Sequence, residues 1–217
     1  MMMNLFSVFD PATGILSLNW ISILLIILIP IPYWNSPSKM LTMLLLMLNK
    51  LMNEIIMHLK KSEPSLLLVS LFLFILINNI MGLLPYVFTA SAHLVFSLTM
   101  ALTLWISLML FGWINKTESM FTHLVPIGTP YPLMPFMVMI ESISNIIRPG
   151  SLAVRLSANM IAGHLLMSLL GNNLITNFSL LLMMMWLFMG LMMFELAVAF
   201  IQSYVFMTLS TLYSSEI

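Results

Sequence analysis

Long apolar segments that are almost free of charged residues dominate this chain of 217 residues. Lys, Arg, Asp and Glu together make up 6% of it, whereas soluble domains carry about a quarter. Seven basic and seven acidic side chains are too few to give a soluble fold of this size a polar surface, whereas a protein surrounded by hydrocarbon does not need one. Because backbone polar groups in lipid must be satisfied internally, the apolar runs predict an all-α, polytopic membrane protein.

Composition and motif content exclude several classes of function. The formal net charge is zero, which argues against a nucleic-acid partner. The chain has no cysteine, and therefore no disulfide, zinc–thiolate site or thiol nucleophile. The sequence also contains no spaced set of metal ligands, no nucleophile triad and no glycine-rich phosphate loop. We therefore predict that the chain has no catalytic centre, metal site or cofactor of its own.

Five membrane-embedded helices are predicted within a single membrane domain over residues 1–217. Their approximate ranges are 15–34, 65–84, 93–114, 133–170 and 178–213. The second and third are expected to form a hairpin around the uncharged turn at Pro85. The last two are longer than the roughly 20 residues that a crossing needs, so we expect them to tilt strongly or to bend, for example at Pro149.

The segment 39–61 has a different pattern from these five. On a helical projection, Lys39, Lys50 and Glu54 share one half of the surface, while most of the leucines fall on the other half. This pattern is typical of an amphipathic helix that lies in the membrane interface. Four of the seven basic residues lie here, so the positive-inside rule puts this segment and the carboxyl terminus on the cytoplasmic or equivalent side, with the amino terminus opposite.

Four charged residues interrupt the last two apolar runs: Glu141, Arg148, Arg155 and Glu195. A charge at bilayer depth costs about 2.5–3.5 kcal/mol on insertion scales, which favours a functional reason for these residues. The first three are seven residues apart, so on one helix they drift by only about 20° per step. Asn159 falls close to the same line, so the helix is predicted to carry a polar stripe.

The final predicted helix has a polar row of its own. Glu195, Ala199 and Gln202 stand on one face, and the small Ala199 leaves space for a close partner helix or for water. His164, on the preceding helix, lies on a different face from Asn159. The two long helices are therefore expected to hold polar groups on more than one side.

These patterns leave more than one function open. A proton-pumping or quinone-site subunit of another respiratory complex is one alternative, although such a subunit should carry buried lysines or paired haem-ligand histidines. A purely structural membrane subunit is another. In that case Arg155 would pair with Glu195 or Glu141, Arg148 would reach lipid head groups, and His164 would be a packing residue.

The stretches that hold the charges are recognisable as motifs. Residues 151–166 read SLAVRLSANMIAGHLL, and residues 195–213 read ELAVAFIQSYVFMTLSTLY. Both closely resemble the proton-channel subunit family, subunit a, of mitochondrial F-type ATP synthases. The stretches 135–150, PFMVMIESISNIIRPG, and 4–11, NLFSVFDP, are similar to the insect or other arthropod form. The resemblance extends over essentially the whole chain and is most specific around the arginine motif.

The resemblance implies a stator subunit of the F0 sector that faces a rotating ring of small hairpins, each with a carboxylate at mid-membrane. Two offset aqueous half-channels would carry protons to and from that carboxylate, which couples proton flow to rotation and ATP synthesis. The essential family arginine matches Arg155, which would separate the half-channels and attract the deprotonated ring carboxylate. The intermembrane-side half-channel matches His164 and Glu195, and the matrix-side one matches Glu141.

The same resemblance implies surroundings and partners. Asn159 and Gln202 match polar positions beside the arginine. The protein would be a multi-pass protein of the mitochondrial inner membrane, with its amino terminus in the intermembrane space and its carboxyl terminus in the matrix. Its partners would be the rotor ring, the other F0 stator subunits, the lipid bilayer and protons.

Overall fold

The computed structural model describes residues 5–14, 16–28, 37–59, 63–125, 128, 130–176 and 181–216. Six α-helices account for most of them. These are α1 (Lys39–Leu59), α2 (Glu63–Gly82), α3 (Leu94–Asn115), α4 (Thr117–Leu124), α5 (Met134–Thr176) and α6 (Leu181–Glu216). Helices α1, α2, α3, α5 and α6 are long and apolar enough to cross a membrane, and the described residues contain no strand. The predicted all-α, polytopic membrane fold is confirmed.

The amino-terminal part of the chain forms two 3-10 helices, Leu5–Phe9 and Leu18–Leu28. The second coincides with part of the predicted first span. At about 2 Å per residue it covers roughly 20 Å, less than the roughly 30 Å of hydrocarbon. Residues 15 and 29–34 of that predicted span lie outside the described residues, as do 60–61 of the amphipathic segment and 178–180 of the last helix. A crossing by the first segment therefore stays a prediction.

Helices α2 and α3 are joined by a turn whose first part is exposed and whose second part, residues 89–92, is buried. A short 3-10 helix, Ala90–Ala92, lies within it and packs against α5. Tyr86 has a left-handed backbone with φ of 67°, which reverses the chain after Pro85 and leaves its own side chain fully exposed. Gly82 allows the close return of the chain, because a Cβ there would lie 3.3 Å from the methyl group of Thr89.

Helices α5 and α6 are far longer than a perpendicular crossing requires. Their 43 and 36 residues correspond to roughly 65 and 54 Å at about 1.5 Å per residue. Helix α5 continues through Pro149 as a single helix. Helices of this length must run obliquely through about 30 Å of hydrocarbon or extend beyond it.

Two apolar clusters hold the bundle together. The larger one joins α2, α3, α5 and α6 through Ile75, Ala101, Leu152, Ala153, Leu156 and Phe206. The smaller one joins α1, α2 and α6 through Ile55, Leu68, Val69 and Met207. Small residues such as Ala101 and Ala153 let helix backbones approach closely, which is how membrane helices gain van der Waals contact. One face of α5 is thereby committed to the core, and the opposite face is left exposed.

Candidate functional site

Arg155 lies on the face of α5 that points away from the core. Leu152, Ala153 and Leu156 around it are buried, whereas Val154 and Arg155 itself are exposed. Within the described part of the chain, no hydrogen bond or ion pair is recorded for its guanidinium. The possible structural pairs with Glu141 and Glu195 are thus not formed there. A cation that cannot release its proton is presented to the outside of the bundle, in the middle of a long apolar helix.

One turn further along α5, Asn159 connects to α6. Its Nδ2 donates a hydrogen bond to Oε1 of Gln202 over 3.0 Å. Gln202 is buried, and its Nε2 has no partner among the described residues. A hydrogen bond between two neutral side-chain amides contributes about 1 kcal/mol net to stability. It therefore fixes how α5 and α6 meet without adding a charge. The two amides predicted to be neighbours of the arginine thus lie together on its carboxyl-terminal side along α5.

Glu195 is buried against the backbone of α5. A Cβ added to Gly163 would lie 2.7 Å from Oε1 and 2.8 Å from Cδ of Glu195, so the missing side chain of this glycine creates the space for the carboxylate. Glu195 is 7% exposed, and neither carboxylate oxygen has a hydrogen-bond partner among the described residues. No role was predicted for Gly163 from the sequence. The signal that could have identified it is a helical glycine next to a titratable residue, opposite an acidic residue on the neighbouring helix.

His164 follows directly on α5 and contacts the amino-terminal segment. Its imidazole meets the ring of Phe9 in a T-shaped arrangement, with centroids 6.2 Å apart and an interplanar angle of 89°. The Nε2 atom is buried without a hydrogen-bond partner in the described structure. His164 and Glu195 are therefore two ionisable groups close to one point of the α5–α6 contact, and both have unused hydrogen-bonding capacity. No role was predicted for Phe9 from the sequence.

A second cluster of polar side chains lies near the amino-terminal end of α5 and the carboxyl-terminal end of α6. Glu141 Oε1 lies 3.9 Å from Nη2 of Arg148, and the guanidinium carbon of Arg148 lies 5.2 Å from the ring centre of Tyr213 on α6. These side chains line a cavity of about 480 Å³ together with Trp105 and Trp113 of α3 and other residues. Arg148 thus has partners within the chain. The structure separates two arginines that occupy one stripe in the sequence, since Arg148 is held and Arg155 is presented outward.

This chain is similar to known proteins over its whole length. The family model for the ATP synthase A chain matches residues 14–215. The ATP synthase subunit a proteins of Anopheles gambiae, Locusta migratoria and Drosophila melanogaster are each 53% identical to this chain. The alignments span 225, 229 and 223 positions and cover the whole of both chains in each case. The similarity therefore includes both long helices and the amino-terminal segment.

Proposed function

This chain belongs to the ATP synthase A chain family, and from that premise we propose that Arg155 separates two proton half-channels built on α5 and α6. The chain is the proton-translocating subunit of the F0 sector and a multi-pass protein of the mitochondrial inner membrane. It works with the rotor ring and the other F0 subunits. Further parts of the proposal are that it has no catalytic centre of its own, and that its amino terminus faces the intermembrane space and its carboxyl terminus the matrix.

The observation that carries the proposal is the outward position of Arg155. Its permanent positive charge repels a proton that would otherwise pass directly between the half-channels. A deprotonated ring carboxylate about 4 Å away would be attracted by about 4 kcal/mol at an effective dielectric constant of 20. One charge that moves through 100 mV gains about 2.3 kcal/mol. Because the attraction is larger, the carboxylate leaves the arginine readily only after it has taken up a proton, and proton uptake becomes part of each rotation step.

The intermembrane-side half-channel is proposed to pass through Glu195 and His164. Both groups can gain and lose a proton, and both have polar atoms without a partner in the described structure, where water can donate or accept. The hydrogen bond between Asn159 and Gln202 lies between these groups and Arg155 along α5. Amide side chains do not ionise, so this pair supplies polarity without offering a proton-binding site.

The matrix-side half-channel is proposed to open at Glu141. Its carboxylate lines the cavity of about 480 Å³ at the far end of the helix pair, where polar groups and water can meet. Arg148 reaches Glu141 and the ring of Tyr213, so it is suited to hold the carboxylate and α6 in place. Glu141 precedes Arg155 along α5 and His164 follows it, so the two proposed half-channels would meet the helix on either side of the arginine.

The rotor-facing position of Arg155 can be tested by cross-linking. This chain contains no cysteine, so a single introduced thiol on it reports one position. Ala158→Cys, one turn from Arg155 on its exposed face, should form a disulfide with a cysteine placed near the ring carboxylate and should stop turnover until it is reduced. Ile106→Cys on α3, also exposed, is the matched control and should not cross-link. Cross-linking from Ile106 but not from Ala158 would contradict the proposed orientation.

A second test uses the space that Gly163 provides. Gly163→Ala should move the Glu195 carboxylate and reduce ATP-driven proton pumping by roughly tenfold, because small misplacements of reacting groups are costly. The control is Gly171→Ala on the same helix, where a Cβ would meet nothing within 4 Å. Both changes remove one helical glycine, so their effects on helix propensity are alike. Equal pumping by the two variants in assembled complexes would show that the contact between Gly163 and Glu195 has no functional role.

A further inference from the structure

The amino-terminal 3-10 helix Leu5–Phe9 lies against α5 at the position of His164. Its two phenylalanines have different surroundings. Phe9 is partly buried and meets the imidazole of His164 edge to face, whereas Phe6 is 68% exposed. Aromatic pairs of this geometry favour the packed arrangement by roughly two- to tenfold beyond the effect of surface burial. The short helix therefore presents one specific ring to one specific histidine.

Contacts further along the chain hold this segment in place. Asn19 Nδ2 donates a hydrogen bond to the carbonyl oxygen of Asp10 over 3.3 Å, and the backbone N–H of Leu18 donates to Oγ1 of Thr13 over 3.1 Å. These bonds fold the residues after Phe9 into a compact turn. The position of Phe9 is thus set by its own connection as well as by its contact with His164.

The second 3-10 helix is in turn attached to the turn between α2 and α3. Ser22 Oγ donates a hydrogen bond to the carbonyl oxygen of Phe88 over 3.2 Å. The ring of Trp20 lies 5.5 Å from that of Phe88 and 5.1 Å from that of His93. Because the Ala90–Ala92 helix in this turn packs on α5, the amino-terminal segment is connected to α5 at both of its ends.

We infer that Phe9 is a positioning residue for proton transfer, which covers His164 and fixes the orientation of its imidazole on the α5 surface. The inference rests on the proposed role of His164 in the intermembrane-side half-channel. The ring blocks one approach to the imidazole, so protons and water would have to reach it from another side. A buried Nε2 without a partner in the described structure is consistent with a group that is shielded from bulk solvent but remains available to water inside the half-channel.

Chemical modification of His164 tests directly whether the Phe9 ring shields its imidazole. Assembled ATP synthase in vesicles is treated with diethyl pyrocarbonate, and the modified fraction of each histidine is measured by mass spectrometry. Phe9→Ala should speed the modification of His164 by roughly two- to tenfold. Phe6→Ala, which removes the same side chain from an exposed position of the same helix, should leave the rate unchanged. The exposed His58 on α1 serves as the internal reference for reagent activity.

Rescue by a conservative variant tests the positioning role. Phe9→Tyr keeps the ring edge and should retain both slow modification and normal ATP-driven proton pumping, whereas Phe9→Ala should lose both. If Phe9→Ala does not assemble, Phe9→Leu removes the ring at similar volume and carries the same expectation. Equal modification rates of His164 in the Phe9 and Phe6 alanine variants would show that Phe9 does not shield His164. Faster modification in Phe9→Ala with unchanged pumping would show that Phe9 does not position His164 for proton transfer. If the proposed role of His164 in the half-channel is itself wrong, the enzyme will turn over normally after His164 is replaced.

Discussion

Arg155→Ala should abolish ATP-driven proton pumping while the complex still assembles. Assembly is expected to persist because the side chain is exposed and forms no recorded ion pair within the described chain, so its removal leaves no cavity in the core. Pumping is expected to fail because nothing then separates the two half-channels or attracts the deprotonated ring carboxylate. Acidification of inverted membrane vesicles measures pumping, and native electrophoresis measures assembly.

Arg155→Lys is the more demanding variant of the same test. It should also fail, or allow protons to leak, since a desolvated lysine can lose its proton whereas arginine cannot. Arg148→Lys is the matched control. Because Arg148 already has Glu141 and Tyr213 as partners, a lysine there should retain much of the pumping activity. Full coupled pumping by either Arg155 variant would refute the barrier role.

Glu195→Gln should slow proton uptake from the intermembrane side by roughly a hundredfold, which is the scale of a lost proton-transfer group. Glutamine nearly matches the shape of glutamate, so the packing against Gly163 is kept and only the exchangeable proton is lost. His164→Ala should act in the same direction. The rate of ATP synthesis, measured while the pH on the intermembrane side is varied, reports the uptake step.

The control for this second prediction is Glu118→Gln. Glu118 lies exposed on α4 and is not one of the residues that line the cavity beside Glu141, so the same chemical change there should leave the rate of ATP synthesis unaltered. If the Glu195 and His164 variants turned over normally across the whole range of external pH, the proposed half-channel would not pass through them.

Much of the fold could be predicted because it depends on local chemistry. A run of about 20 apolar residues without charge has few options other than a membrane helix, and the heptad spacing of Glu141, Arg148 and Arg155 follows from helical geometry alone. The amino-terminal region was harder to predict, since an apolar run of about 15 residues does not determine whether the backbone forms an α-helix or the 3-10 helix observed at Leu18–Leu28.

The candidate site shows the limit of local reasoning. The sequence placed Asn159 close to the stripe of Arg155, but it did not indicate that Gln202, which is 43 positions away, accepts its hydrogen bond. The structural alternative read from the sequence paired Arg155 with Glu195 or Glu141 and let Arg148 reach lipid head groups. In the structure the ion pair forms at Arg148, because Glu141 and Tyr213 are within its reach.

The amino-acid sequence is enough to predict a bundle of membrane helices with four charged residues inside the last two apolar runs, because apolar length and residue spacing act within single helices. Only the packing of distant segments shows which groups meet: the carboxylate of Glu195 lies in the space left by Gly163, and the ring of Phe9 lies on His164. It also shows that Arg155 is exposed on the face of α5 that points away from the core. These contacts depend on how far one helix is shifted and rotated against another. That arrangement is fixed by packing between distant parts of the chain, which no local pattern records.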